Sequence, residues 1–389
     1  MVILIKQGEV YSPEYRGKKD VLLAGGKIIA IEDQIDVSSL HIDVQVLNGE
    51  GQFVVPGFID SHVHIIGGGG EGGFKTRTPE LMLSQATTAG VTTIVGVIGT
   101  DGTSRTMPDL LAKAKGLEEE GITCFVHTGS YQVPIRPITG SIQSDFLLID
   151  RIIGVGEVAI ADHRSSQPTV DELKRIAAEA RVGGMLSGKG GIVNVHVGDG
   201  EQALSLLEEV ITSSEIPINQ FIPTHINRNA ALFQAGINYA KKGGYVDFTT
   251  STIPTFLEQG EVKCSHALKV LLEEGVQLEQ ITFTSDAQGS LPNFDKEGKL
   301  IGLQIGDVKS LFAEVRDAIV DEGVELEKAL HVITKNPAQA LKLKGKGELV
   351  VGFDADVLLL SQDLQIKTVI AKGQVMVEEG NIKVKGTFE

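Results

Sequence analysis

Four histidines and one aspartate in this chain close short apolar runs, and each could hand a donor atom to a metal. The run Val54-Val55-Pro56-Gly57-Phe58-Ile59-Asp60-Ser61 leads into His62-Val63-His64. Alternate side chains of a strand share one face, so His62 and His64 point the same way, with Val63 turned to the other side. Two imidazoles on one face can grip one ion, although a lone pair of this kind also suits two hydrogen-bonded histidines at a strand end. Further along, Gly191-Ile192-Val193-Asn194-Val195 closes on His196, Phe221-Ile222-Pro223-Thr224 on His225, and Gln280-Ile281-Thr282-Phe283-Thr284-Ser285 on Asp286. A catalytic zinc site needs about three protein ligands and a position left open for water. Four strand ends at helix-sized intervals describe parallel barrel strands whose C-terminal ends deliver such ligands to one mouth.

The elements that must position these residues read as two textures. Short strands joined by turns fill residues 1–53, with Gly25-Gly26-Lys27 as a hairpin signal. The same texture returns over 346–389, so both ends look like halves of one small β-domain, expected as a β-sandwich. Between them, residues 54–345 alternate strand-like and helix-like segments, and the predicted fold class is α/β, a (β/α)8 TIM-type barrel. A helix is expected from Pro79 to Gly90, with proline in its first turn and glycine at its end. Another should open at Thr169, a capping residue ahead of Asp171 and Glu172. Gly67 to Gly73 reads as a flexible loop over the mouth. It lacks the Gly-Lys-Ser/Thr ending of a phosphate cradle.

Composition narrows the classes. At 389 residues the chain suits a barrel of about 250 residues plus a minor domain. With 5% aromatic residues and no Trp, the core must be built from Ile, Val, Leu and Ala. A net charge of −16 argues against nucleic acid or an anionic membrane as partner. Cys124 and Cys264 are too few for a disulfide framework. No signal peptide and no apolar run of about 18 residues is recognisable, so a cytoplasmic protein is expected.

His62-x-His64 after Val55-Pro56-Gly57-Phe58-Ile59-Asp60, then His196, His225, Asp286 and the late Gly347-Glu348-Leu349-Val350-Val351-Gly352-Phe353-Asp354-Ala355-Asp356, resemble the amidohydrolase superfamily over nearly the whole chain. Narrower motifs resemble the bacterial isoaspartyl dipeptidases. These are Gly67 to Glu71 with Thr76-Arg77-Thr78-Pro79-Glu80, Thr128 to Pro134, Asp162-His163-Arg164-Ser165, Thr224 to Asn229, Ser285 to Ser290, and Val384 to Glu389. The resemblance implies two zinc ions, the more buried held by His62, His64 and Asp286 and the other by His196 and His225. The bridging position, a carboxylated lysine in most of the family, falls on Glu157, seven residues before Arg164 and with no lysine between Arg151 and Lys174. Glutamate is already an anionic oxygen donor and needs no modification to bridge, although pairing with a nearby arginine is the plain alternative.

The resemblance also implies a reaction, the removal of an N-terminal β-linked aspartate from a dipeptide. A water shared by two zinc ions would approach neutral pKa. Asp286 would shuttle the proton and Tyr131 would stabilise the oxyanion. The substrate's ammonium would meet Glu71 and its carboxylates Arg164 and Arg228, with Ser290 and the backbone near Thr100 completing the grip. His127 and His163 are expected in supporting roles, and His41, His266 and His331 in none. Rival readings are a cyclic-amide hydrolase of the dihydroorotase or hydantoinase kind, a deaminase, and a non-catalytic barrel scaffold. A homo-oligomer is expected.

Overall fold

The computed structural model describes residues 2–39, 41–294 and 300–389. Five strands come from the N-terminal region, namely β1 Val2–Tyr11, β2 Tyr15–Ala24, β3 Lys27–Glu32, β4 Val44–Asn48 and β5 Phe53–Pro56. Eight more follow, β6 Phe58–Val63, β7 Val91–Gly96, β8 Thr123–Thr128, β9 Ile152–Ile160, β10 Ile192–Val197, β11 Phe221–Thr224, β12 Val246–Thr249 and β13 Ile281–Thr284. A hairpin of β14 Ser290–Phe294 and β15 Leu300–Ile305 comes next, and β16 Val357–Leu360, β17 Ile366–Ala371, β18 Gln374–Glu378 and β19 Asn381–Ile382 complete the set.

Strands β6 to β11 form one parallel sheet in sequence order, and β12 pairs in parallel with β13. They are buried almost throughout, the signature of parallel strands covered by helices on one side and packed side chains on the other. Buried Asp247 on β12 joins its neighbours through side chains. It accepts hydrogen bonds from Thr224 Oγ1 (2.6 Å) on β11 and from Thr282 Oγ1 (2.7 Å) and Thr284 Oγ1 (2.6 Å) on β13. Val63 and Ala287 make a parallel bridge where β6 meets the chain after β13.

The two ends of the chain build one sheet in the order β19-β18-β17-β16-β5-β1-β2-β3, with β4 on β1. Ile3, Val21, Val54, Val357 and Ile370 give it a core of its own. Its hydrogen bonding is continuous across nine strands drawn from both termini. The β2–β3 hairpin turns at Gly25 and Gly26, both at positive φ, as the Gly-Gly signal predicts.

Two expectations need correction. The run Val54 to His64 is two strands, because Val54–Pro56 pairs with β16 and β1 while Phe58 opens the parallel sheet. Gly57 is the crossing point, where an added Cβ would lie 2.2 Å from Thr92 Oγ1. The helix expected from Pro79 begins only at Leu83. The carbonyls of Pro79 and Glu80 instead accept hydrogen bonds from Gln288 Nε2 (3.0 and 3.1 Å), which holds that stretch extended. The helix Val170–Ser187 does start as predicted, with Thr169 Oγ1 accepting from Glu172 N.

Candidate metal and substrate site

All six sequence-predicted ligands converge towards the C-terminal side of the parallel strands, His62, Glu157 and His196 from within β6, β9 and β10 and His64, His225 and Asp286 from just beyond β6, β11 and β13. His62 is the penultimate residue of β6 with His64 just past the strand, and their ring centroids are 5.7 Å apart. His225 and Asp286 follow β11 and β13 at positive φ (66° and 53°), an uncommon conformation for non-glycine residues that re-aims the side chain off the strand path. Glu157, fully buried within β9, stands among the histidines. Its Oε2 lies 3.3 Å from His62 Nε2, 3.2 Å from His196 Nδ1 and 3.7 Å from His225 Nε2, and its Oε1 lies 3.5 Å from His64 Nε2. Asp286 Oδ1 is 3.0 Å from His64 Nε2 and 3.7 Å from His62 Nε2.

This arrangement fits metal. His62, His64 and Asp286 form one group whose donor atoms could share an ion, and His62, Glu157 and His225 form a second. Among the described residues His62 Nε2, Glu157 Oε1 and Asp286 Oδ1 are buried without a hydrogen-bond partner, a costly state for polar atoms unless something else satisfies them. The outward nitrogens are held, His62 Nδ1 by Asn194 Oδ1 (3.0 Å) and His225 Nδ1 by Thr249 Oγ1, so Nε2 of each faces the centre. Charge agrees. Burial opposes protonation of His62, yet the carboxylates of Glu157 and Asp286 push its pKa up to about 10. Burial likewise works against charge on Glu157 and Asp286, but the histidines beside them hold both carboxyls well below their usual range. Positive charge is what this cluster lacks.

Beside it opens a cavity of about 420 Å³, a size that suits a dipeptide. Glu71, Thr100, Tyr131, Arg164, Arg228 and Ser290 all line it. Tyr131 is buried, not an exposed loop side chain, and its hydroxyl lies 2.7 Å from His196 Nδ1. Burial and then Glu157 raise that phenol well above its usual pKa, so it stays protonated. Glu71 Oε1 accepts from Thr100 Oγ1 at 2.8 Å and faces Arg164 Nη1 at 3.4 Å. Arg228 Nη2 lies 3.4 Å from His196 Nε2, and its Nε is buried without a partner among the described residues. His163 is exposed at the rim and His127 is buried below the centre. His266 pairs with Glu322, and His331 with Asn336.

Three supporting residues carried no spacing signal. Asp162 receives His196 Nε2 (2.9 Å) and Arg164 Nη2 (2.7 Å) on one oxygen and Arg164 Nε (3.0 Å) on the other. Asp60 accepts from Ser285 N at 3.1 Å and from the Ser285 hydroxyl, fixing the residue before Asp286. Arg105, nearly fully buried, donates to the carbonyls of Ile66, Gly68 and Gly69. With Thr78 Oγ1 and Gln288 O meeting Gly68 N, the start of the glycine-rich loop is pinned. Its glycines serve close approach, since a Cβ on Gly67 would lie 2.3 Å from Thr78 O.

A model of the amidohydrolase family matches residues 53–376. Among solved structures, a β-aspartyl dipeptidase from the thermophilic keratin-degrading Fervidobacterium islandicum AW-1, in complex with the β-Asp-Leu dipeptide, is 45% identical. It covers 98% of this chain and 99% of its own, with a TM-score of 0.90. A dihydropyrimidinase from Brevibacillus agri superposes over 99% of this chain and 97% of its own with a TM-score of 0.71, but at 16% identity it shares the fold alone. N-acetylglucosamine-6-phosphate deacetylase of Lysinibacillus sphaericus is 23% identical over 93% of this chain and 94% of its own. Among the described residues, no helix is long and apolar enough to cross a membrane.

Proposed function

This chain belongs to the amidohydrolase family, a family of metal-dependent hydrolases, and we propose that it hydrolyses β-aspartyl (isoaspartyl) dipeptides at a binuclear zinc centre. The observation that carries the reading is one cavity lined by His64, His225 and Asp286 of the ligand cluster together with Glu71, Arg164 and Arg228. That charge tally complements a substrate with one ammonium and two carboxylates around the amide. A cyclic amide has no use for so many charges. The 45% identity to a β-aspartyl dipeptidase supports the same substrate class.

In this reading His62, His64 and Asp286 would hold one ion and His196 and His225 the other, with the Glu157 carboxylate available to both. Bound metal would supply a lowered pKa for water and polarisation of the scissile carbonyl. Asp286 accepts the proton of the attacking water and returns it to the leaving amine. Tyr131, kept protonated, donates to the developing oxyanion. Glu71 orients the ammonium, Arg164 and Arg228 the carboxylates, with Thr100 and Ser290 beside them. We further read β6 to β13 as a closed (β/α)8 barrel over 58–345, not from 54 as expected, supported by the Asp247 bonds and the Val63–Ala287 bridge. The terminal sheet, drawn from residues up to Pro56 and from 346–389, would fold over its own core as a sandwich. Two buried, unpaired cysteines suit a cytoplasmic setting, where we expect the chain to act as a homo-oligomer.

The deciding assay compares β-Asp-Leu, α-Asp-Leu, dihydroorotate and hydantoin with metal-loaded protein. Turnover confined to β-Asp-Leu is expected. Preference for either ring would overturn the reading.

A further inference from the structure

We propose that Glu261 is a specificity-determining residue that favours dipeptides whose second residue carries a cationic side chain. This rests on the β-aspartyl dipeptidase reading and narrows the substrates within it.

Glu261 lines the same cavity as Arg228. It is fixed there by backbone. Glu261 N donates to Phe256 O (3.0 Å), and the next amide, Val262 N, donates to Asn227 O (2.8 Å), the residue before Arg228. Asn227 is itself bracketed by Thr249, its Nδ2 donating to Thr249 O and its Oδ1 accepting from Thr249 N, each at 3.0 Å. The acid is therefore held beside the arginine by a rigid frame and not by an ion pair of its own.

Among the described residues Glu261 Oε1 is buried without a hydrogen-bond partner. Burial pushes this carboxyl up to about 7, with the Thr252 hydroxyl and then Arg228 pulling only partly against it. An acid so placed gains from any further cation brought within reach. Arg228 cannot serve fully once a substrate carboxylate takes it, and the second residue's side chain is the group left to meet Glu261. Phe256, Leu291, Pro292 and Leu303 line the cavity too, an apolar wall on which the methylene stem of a lysine could lie while its ammonium reaches the acid. An acidic side chain would instead meet like charge.

The test measures kcat/KM for β-Asp-Lys, β-Asp-Leu and β-Asp-Glu with wild type, Glu261→Gln and Glu261→Lys, with metal content and melting temperature recorded for each. Wild type should prefer Lys over Leu over Glu. The Lys-to-Glu ratio should fall at least about tenfold in Glu261→Gln, the scale of one charge-assisted hydrogen bond, and invert in Glu261→Lys. An unchanged ratio in folded, metallated variants overturns the role of Glu261. If neither variant folds, a wild type indifferent to the second residue's charge overturns it equally. Failure to cleave any β-aspartyl peptide is a different outcome, which sinks the parent reading and this one together.

Discussion

Asp162 Oδ2 lies 2.9 Å from His196 Nε2 while the same carboxylate is gripped by Arg164. One side chain thus orients a ligand-type histidine and a substrate-type arginine. Asp162→Asn should weaken metal retention about 10- to 100-fold, the usual effect of losing a carboxylate behind a ligating histidine, and also raise KM. Metal analysis after titration with a chelator checks the first effect. A variant that keeps its metal as wild type does would show that Asp162 serves only Arg164.

Asp286→Asn should keep at least one metal, since an amide oxygen still ligates, but lose turnover by at least about 100-fold because an amide is no base. Metal content and kcat measured on the same preparation decide it. Near wild-type turnover in a metallated variant removes Asp286 from proton transfer.

Glu157 carries its carboxylate from synthesis, whereas a lysine bridge must first capture carbon dioxide. Apoprotein should therefore regain two metals per chain from zinc in carbon-dioxide-depleted buffer, and Glu157→Ala should lose the second. A bicarbonate requirement in wild type, or two tightly held metals in the variant, contradicts the bridging role.

Asp101 stabilises the loop that carries Thr100. Burial works against its charge, but the Ser104 hydroxyl, the amides of Ser104 and Thr103 and the Arg77 guanidinium hold its carboxyl down to about 2. Because the folded pKa lies below the unfolded one, this stabilisation is complete above about pH 4 and vanishes as pH falls towards 2. Asp101→Asn should thus cost up to about 2 kcal/mol at pH 7, and the gap should close in acid. Urea unfolding across that range tests it, and a gap that is constant with pH would mean that the charge of Asp101 contributes nothing.

The four histidines and Asp286 were legible because each closes an apolar run, and strand periodicity alone places such residues at one rim, whereas Glu157, inside β9, was reached only through the resemblance. Even there the reading was coarse. His64, His225 and Asp286 lie just beyond their strands, and the positive φ of the last two has no signature in residue type. Asp162 and Asp60 stood out only as members of motifs and Arg105 not at all, for a different reason. Each acts on a partner brought near only by the fold, as Asp60 does on Ser285. The late helix start at Leu83 has the same origin, because Pro at a favourable helical position was outweighed by the hydrogen bonds of Gln288, distant in sequence.

Strand β5 lies between β1 and β16, with Val54 paired to Val10 on one side and to Leu359 on the other. During synthesis nearly the whole chain must leave the ribosome before that second edge is covered. Until then Phe53–Pro56 presents unpaired amides and apolar side chains, a template for wrong pairing between nascent chains. A nonsense mutation ahead of Val357 would make that exposure permanent. The damage from losing these last strands, far from any catalytic group, would therefore first appear as insolubility.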